Sequence, residues 1–245
     1  MRVAELWRYP VKSLGGERVT SVAVDERGVA GDRIWALTDT EGGIASGKTT
    51  RRFRALPGLM RHRSHLDGDE PVITLADGRS ARAGSPELDA VVAAISPPGW
   101  SLQREASIRH FDAGAVHVVT TATLATLSAA AGEPVGVERL RPNILLDTGH
   151  DAPFPEGEWL GRTLRIGNVE LSIVDRTALR HGGPRPSPAR TAAEAAQDDR
   201  PRQPGERRRL RRRHRPGHSQ PGRPRARELN ALSDRSRSAQ PETDP

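Results

Sequence analysis

Short runs of alternating apolar and polar residues, separated by Gly-rich turns, recur through the first 175 positions of the chain. Residues 3–9 predict a first strand, and residues 19–25 and 33–38 predict two more, because side chains alternate between the two faces of a strand. Residues 72–75 predict a further strand. This pattern is typical of a β-rich fold.

The second half of this segment adds short helices. Residues 86–95 and 123–131 carry apolar side chains at helical spacing, which predicts one amphipathic helix in each stretch. The other apolar runs predict strands, at residues 116–120, 143–146, 164–166 and 169–174. The last two flank Gly167-Asn168, a two-residue link that indicates a hairpin.

The composition changes sharply near Asp175. Residues 1–175 contain 20 Lys and Arg against 23 Asp and Glu, whereas residues 176–245 contain 18 Arg against 8 Asp and Glu. The second segment has no Val, Ile, Phe, Met, Trp or Tyr. Such a segment buries too little apolar area to offset its ordering entropy. We therefore expect a folded body followed by a disordered basic tail.

Several protein classes are excluded or disfavoured by what the chain lacks. It contains no Cys, which excludes a disulfide scaffold, a thiolate metal site and a Cys nucleophile. The longest apolar runs fall short of the roughly 20 residues that span a bilayer, so no membrane association is expected. The first residues lack a secretory pattern, which predicts a cytoplasmic location. The His spacing indicates no metal site, and no catalytic residue is identified.

A phosphate-binding pattern occurs at Gly42-x4-Gly47-Lys48-Thr49. In a P-loop this pattern joins a buried strand to a long helix, and its backbone N–H groups surround a phosphate. Here polar residues 39–41 precede it, and Pro57 follows soon after. The context disfavours a nucleotide site, but it leaves Lys48 as a cation that can contact an anion.

Polar and cationic residues gather where the predicted strands begin or end. These residues are Lys12, Ser13, Arg33, Arg141 and Asn143. Each taken singly is consistent with an ordinary surface loop. Taken together with Lys48, they suit a phosphorylated ligand rich in hydrogen-bonding groups, because loops at strand ends carry function and cations bind phosphate.

Several stretches resemble the MOSC superfamily, which is named for the C-terminal domain of molybdenum cofactor sulfurase. They are LWRYPVKS at residues 6–13, GVAGDRIW at 28–35, LRPNI at 140–144, Phe154, and WLGRTLRIG at 159–167. The chain is most similar to the group with an N-terminal MOSC β-barrel, which includes the mitochondrial amidoxime-reducing component. The resemblance covers residues 1–176.

The resemblance implies a mainly β fold with short helices in two domains. Residues 1–95 would form a MOSC N-terminal β-barrel-like domain, and residues 96–176 a truncated β-barrel MOSC domain. Residues 177–245 would form the disordered Arg/Pro-rich tail. The family holds its molybdenum cofactor, a molybdopterin, between the two domains.

The resemblance also assigns roles in cofactor binding. Lys12, Ser13 and Arg33 would grip the phosphate end of the pterin. Arg141 and Asn143 would contact it from the second domain. Thr121 lies where the family's strand-to-helix loop approaches the cofactor, although Ala122 replaces an acid often found there.

The implied activity is the reduction of small N-hydroxylated or N-oxygenated substrates, with electrons from a separate redox protein. Pyridoxal phosphate binding is a further property attributed to the family. The family ligates molybdenum through Cys in an Arg-Cys-Val-Met-like segment after the strand at 169–174. This chain reads DRTALRHGGP at residues 175–184 and has no Cys. We therefore expect impaired metal ligation and little or no such activity.

A frameshift would account for the missing segment. Residues 178–184 are compatible with the codons GCG CTG CGT CAT GGT GGA CCC. When one nucleotide is skipped, these become CGC TGC GTC ATG GTG GAC, which encode Arg-Cys-Val-Met-Val-Asp. Consecutive Arg codons read in that frame become codons of the form GNC, so residues 207–213 could conceal a β-strand. We hypothesise that residues 177–245 are translated out of frame.

Two other functions stay open. The first is a MOSC module that binds a ligand or handles sulfur without redox turnover, although sulfur handling requires a thiol that this chain lacks. The second is weak, salt-dependent and non-specific binding of nucleic acid through the basic tail, whose charge is densest at residues 207–213. The tail has no aromatic residue for stacking on bases.

Overall fold

The computed structural model describes residues 1–112, 114–149, 152–176 and 227–231. The chain forms two units, Met1–His181 with Arg225–Pro245, and Gly182–Pro224. The second unit lies wholly outside the described residues. Most of the predicted tail, and its proposed frameshift, therefore also lie outside them.

The described residues form sixteen strands and three helices. The strands are β1 (Arg2–Arg8), β2 (Glu17–Val19), β3 (Ser21–Asp25), β4 (Gly28–Val29), β5 (Trp35–Thr38), β6 (Ile44–Ser46), β7 (Phe53–Ala55), β8 (Arg63–Asp67), β9 (Glu70–Thr74), β10 (Ser80–Arg82), β11 (Ser101–Arg104), β12 (Val118–Thr120), β13 (Ile144–Asp147), β14 (Thr163–Ile166), β15 (Val169–Ser172) and β16 (Arg227–Asn230). The helices are α1 (Leu88–Ala93), α2 (Thr121–Ala131) and α3 (Val137–Leu140), with short 3₁₀ turns at Leu59–Arg61 and Pro155–Trp159. The predicted mainly β fold with short helices is confirmed.

One four-stranded sheet, in the order β12-β13-β1-β2, joins strands from the start of the chain to strands from residues 118–147. β1 is antiparallel to both β13 and β2, and β12 is parallel to β13. Leu6 on β1 and Ile144 on β13 are paired and fully buried. This pairing brings the loop after β1 next to the loop that precedes β13.

Two further sheets pack around a second apolar cluster. Their strand orders are β11-β5-β6-β7 and β10-β9-β8. Val91 and Val92 of α1 pack into this cluster with Leu37 and Ile73. β5 runs beside the loop after β1, since the amide of Lys12 donates to the carbonyl of Trp35 at 2.8 Å.

One stretch of the predicted tail forms a strand, β16. This strand pairs antiparallel with β3, and Leu229 is 3% exposed within the same apolar cluster as Val22 and Val24. An outer strand leaves unpaired backbone N–H and C=O groups, which a further strand can satisfy. Backbone pairing with β3 and the packing of Leu229 and Ala231 against this cluster hold a segment that is otherwise polar.

No helix within the described ranges is long and apolar enough to cross a membrane. The same part of the chain contains no cluster of three or more His, Asp or Glu side chains placed to hold a metal ion.

Gly16 lies where the chain turns back between β1 and β2, and its missing side chain is a packing requirement. A Cβ at this position would overlap the carbonyl oxygen of Arg8 and the ring of Tyr9. We expect Gly16→Ala to lower the free energy of unfolding by about 1–3 kcal/mol, the usual cost of overpacking. Thermal melts measure the change. Gly114→Ala is the matched control, because its Cβ would come no closer than 3.7 Å to another atom. Equal melting temperatures for the two variants would contradict this account.

Candidate functional site

Three loops meet at the end of β1. The first follows β1 and carries Lys12, the second carries Arg33 before β5, and the third carries Arg141 before β13. The amide of Arg33 donates to the carbonyl of Tyr9 at 2.8 Å. The guanidinium of Arg33 donates to the carbonyl of Arg141 at 3.3 Å. Residues far apart in sequence are thus joined directly.

The backbone of these loops is strained at the functional positions. Four non-Gly residues among those described have positive φ, and three of them are Ser13 at 68°, Arg33 at 51° and Arg141 at 54°. A left-handed conformation is unfavourable for a residue with a Cβ, and strain of this kind gathers at functional sites. Three predicted site residues sharing this conformation therefore indicate a site that the fold holds in place.

Tyr9 lies at the centre of the loops. It is fully buried, and its ring faces the guanidinium groups of Arg33 at 5.3 Å and Arg141 at 4.4 Å. Its hydroxyl is buried and has no hydrogen-bond partner among the described residues. Burial raises the pKa of Tyr9 well above its ordinary value, so the hydroxyl stays neutral and able to donate.

The charges around Tyr9 are only partly compensated. Asp32 is 2% exposed, forms an ion pair with Arg33 and accepts a hydrogen bond from the amide of Tyr9 at 2.8 Å. Arg141 donates to the carbonyl of Leu14, and within the described ranges no carboxylate lies within 4 Å of it. Burial and the neighbouring Arg33 lower the pKa of Arg141 to about 10, so it remains charged at neutral pH. Among the described residues, the positive charge of Arg141 is therefore left without a carboxylate partner.

Lys12 and Lys48 form a second group of cations, bridged by one carboxylate. Asp112 accepts from Lys12 Nζ at 3.0 Å and lies 3.4 Å from Lys48 Nζ. Both ammonium groups also lie over the ring of Phe53, at 4.5 and 5.3 Å from its centroid. The side chain of Lys12 is 6% exposed, while that of Asp112 is 46% exposed. The carboxylate thus covers the group from the solvent side.

Asn143 is fully buried and joins the loops from beneath. Its Oδ1 accepts from the amide of His117 at 3.0 Å and from Arg33 Nη1 at 3.2 Å, and its Nδ2 donates to the carbonyl of Trp7 at 3.3 Å. These contacts orient Arg33 toward Tyr9. Both the oxygen and the nitrogen of the Asn143 amide are already hydrogen-bonded within the protein. The predicted contact between Asn143 and a ligand stays a prediction.

The remaining predicted residues lie at the margins of the site. Ser13 donates its hydroxyl to the carbonyl of Ala45 at 3.2 Å. Thr121 is the first residue of α2 and forms no ion pair or side-chain hydrogen bond with the other described site residues. The start of α2 is held instead by Glu156, which accepts from the Thr120 amide at 2.5 Å and from the Thr123 hydroxyl at 2.6 Å. The structure therefore gathers Lys12, Arg33, Lys48, Arg141 and Asn143 and leaves Thr121 aside.

The phosphate-binding pattern at 42–49 has no P-loop architecture. β6 occupies its middle, the turn at Gly47-Lys48-Thr49 leads to β7, and β6 and β7 pair in parallel. No helix follows Thr49 to supply an N-terminus for phosphate. Lys48 reaches the site by this turn.

Sequence reasoning missed Asp112, Asp32 and Phe53 as site residues. Asp32 could have been noticed, because it precedes Arg33 in a stretch already singled out. Asp112 and Phe53 gave no signal, because their significance comes from contacts with Lys12, which precedes Asp112 by 100 positions and Phe53 by about forty.

Family models match almost the whole chain. The MOSC N-terminal beta barrel domain matches residues 1–106, and the MOSC domain matches residues 105–219. The chain belongs to the MOSC family. A comparison with curated proteins finds no match. The closer similarity to the amidoxime-reducing group and the domain boundaries at 95 and 176 remain predictions.

MOSC domains are associated with binding of the molybdenum cofactor. The residues of this MOSC chain fit the phosphate end of the cofactor and do not fit its metal end. The orphaned Tyr9 hydroxyl and the uncompensated Arg141 provide a donor and a charge for a phosphate. For the metal end, the sequence resemblance implies a thiolate ligand, and the chain has no Cys.

The protonation of Lys12 gives the site a pH dependence. Burial lowers the pKa of Lys12 to about 8, and the cations Arg33 and Arg141 add to that effect while Asp112 opposes it. Because only the ammonium form attracts an anion, sulfate affinity should be constant below pH 8 and fall by up to about tenfold per pH unit above it. Calorimetric titration with sulfate, whose charge is fixed over this range, measures the change. In Lys12→Arg the fall should disappear; a fall that persists there would contradict the assignment to Lys12.

Proposed function

We propose that this MOSC protein binds the molybdenum cofactor by the phosphate end of its pterin, at the meeting point of the three loops. Lys12, Ser13 and Arg33 would hold the phosphate from the first half of the chain, and Arg141 from the second. The observation that carries the proposal is the partly buried pair of guanidinium groups on Tyr9, whose hydroxyl has no hydrogen-bond partner among the described residues.

The charge balance supports a phosphate rather than a neutral ligand. Within the part of the chain that the structure describes, the cations Lys12, Lys48, Arg33 and Arg141 pair with two carboxylates, those of Asp32 and Asp112. Two positive charges are thus left uncompensated in a partly buried setting, and charge-assisted hydrogen bonds to phosphate are among the strongest a protein makes. Arg also offers the planar donors that match phosphate oxygens.

For the redox role we propose an ancestral oxidoreductase that reduced N-hydroxylated or N-oxygenated compounds with electrons from a partner protein. The bound cofactor would supply the metal that changes oxidation state. The present chain offers no thiolate for that metal, so we propose that its turnover is impaired. Its own residues would still bind and orient the pterin.

Cofactor carried through purification tests the binding proposal. The full chain is produced in a host that makes the cofactor and in one that cannot, and the pterin released by acid oxidation is quantified by fluorescence. Near-stoichiometric pterin from the first host and none from the second is expected. Folded protein without pterin from either host would overturn the proposal.

A non-redox binding module is the second candidate, and the absence of Cys favours it. The two candidates agree on the pterin site and differ in turnover. Pterin-loaded protein that reduces no N-hydroxylated compound with a chemical reductant would support the binding module. Turnover that depends on pterin would support a working oxidoreductase.

A further inference from the structure

Phe53 is surrounded by three cations. They are Lys12 at 4.5 Å, Lys48 at 5.3 Å and Arg52 at 5.0 Å from the ring centroid, and we call this group the Phe53 subsite. Phe53 itself is 6% exposed and forms the floor. Lys12 also belongs to the proposed pterin site, whereas Arg52 and Phe53 have no role there.

The Phe53 subsite has fewer partners than its charges require. Nε of Arg52 is buried and without a hydrogen-bond partner among the described residues, and Nη2 reaches the carbonyl of Phe111 only at 3.5 Å. No carboxylate of the described ranges pairs with Arg52. Among the described residues, Lys12 and Lys48 therefore share the carboxylate of Asp112, and Arg52 has no carboxylate partner.

Asp112 occupies the place that an external anion would take. It contacts Lys12 and Lys48 at once, and its side chain is 46% exposed although the Lys12 side chain beneath it is 6% exposed. The neighbouring cations hold the pKa of Asp112 below its ordinary value, so it is ionised at neutral pH. An ionised, solvent-facing carboxylate over a cationic floor has the charge and position of a bound oxyanion.

We propose that the Phe53 subsite binds a phosphate or carboxylate group of a small-molecule ligand, and that the carboxylate of Asp112 holds this place until such a group displaces it. The inference rests on the proposed function, because the subsite shares Lys12 with the pterin site. The inference adds that a small-molecule ligand bound beside the pterin carries an acidic group.

Inorganic phosphate and acetate are the probes, titrated separately into the full chain by calorimetry. Asp112→Asn keeps the size of the side chain and removes its charge, so phosphate affinity should rise about tenfold, as expected for loss of one competing charged hydrogen bond. Asp67→Asn is the matched control, because Asp67 pairs with Arg82 on another sheet at 3.1 Å. Arg52→Gln should weaken phosphate binding both in the unaltered chain and in the Asp112→Asn variant. If Asp112→Asn binds both acetate and phosphate more tightly, the subsite is a general oxyanion site. If it binds only phosphate more tightly, the subsite is a phosphate site.

The outcomes separate this inference from the proposed function. If Asp112→Asn binds phosphate no more tightly than the unaltered chain while pterin still copurifies, the subsite is overturned and the pterin site stands. If no pterin copurifies with the unaltered chain, both the proposed function and the Phe53 subsite are overturned. A thermal melt of each variant identifies any that fail to fold. If Asp112→Asn fails to fold, the decisive comparison is the phosphate affinity of Arg52→Gln with that of the unaltered chain.

Discussion

Replacing Arg141 by Gln is expected to remove the copurified pterin almost completely. Arg141 is a partly buried cation with no carboxylate within 4 Å in the described ranges, and its guanidinium lies 4.4 Å from the Tyr9 ring. Loss of charged hydrogen bonds of about 1.5–3 kcal/mol corresponds to an affinity roughly 10- to 100-fold weaker. Pterin fluorescence per mole of folded protein measures the effect.

The matched control for this change is Arg139→Gln, two residues earlier. Arg139 is exposed and pairs with Glu133 at 3.4 Å, outside the site. It removes the same charge from the same short helical segment, so its pterin content should equal that of the unaltered chain. Equal losses in both variants would show that net charge, and not the site, retains the pterin.

Restoring the proposed reading frame is expected to have the second large effect. Deleting one base near codon 178 would encode Arg-Cys-Val-Met directly after the β15 region and replace the Arg-rich segment that follows. We expect pterin-dependent reduction of an N-hydroxylated compound to rise from background to a measurable rate, because the thiolate the family uses is then present. A chemical reductant replaces the unknown partner protein in the assay.

The control is the restored frame with its new Cys codon changed to Ser. This version keeps the rest of the restored sequence and loses only the thiolate, so its rate should return to background while its pterin content stays. Genomic and transcript sequences that confirm the present frame, with codons incompatible with Arg-Cys-Val-Met, would contradict the frameshift hypothesis.

The central strands of the body could be predicted from the alternation of apolar residues. β1 and the hairpin of β14 and β15 fall within one or two residues of the predicted positions. β7 and β8 were missed because FRA and RSHLD carry too few apolar residues to give a pattern. β16 was missed because its place depends on the free edge of β3, a tertiary contact that composition does not record.

The site was predictable where cations and loops coincide in sequence. Arg33 and Arg141 were identified from strand ends, and the structure joins them by a hydrogen bond to a backbone carbonyl. Thr121 was placed by family resemblance alone, and its helix start is already held by Glu156. The role of Asp112 could not be foreseen, because an isolated loop Asp is ordinary until Lys12 and Lys48 are brought to it.

The most direct test of the central claim is to locate the phosphate. A crystal structure of the chain purified with its pterin would show it. The account predicts phosphate oxygens within hydrogen-bond distance of Lys12 and Arg141, with the Tyr9 hydroxyl no longer without a partner. Pterin bound elsewhere, with Arg141 and Tyr9 unchanged, would contradict the account.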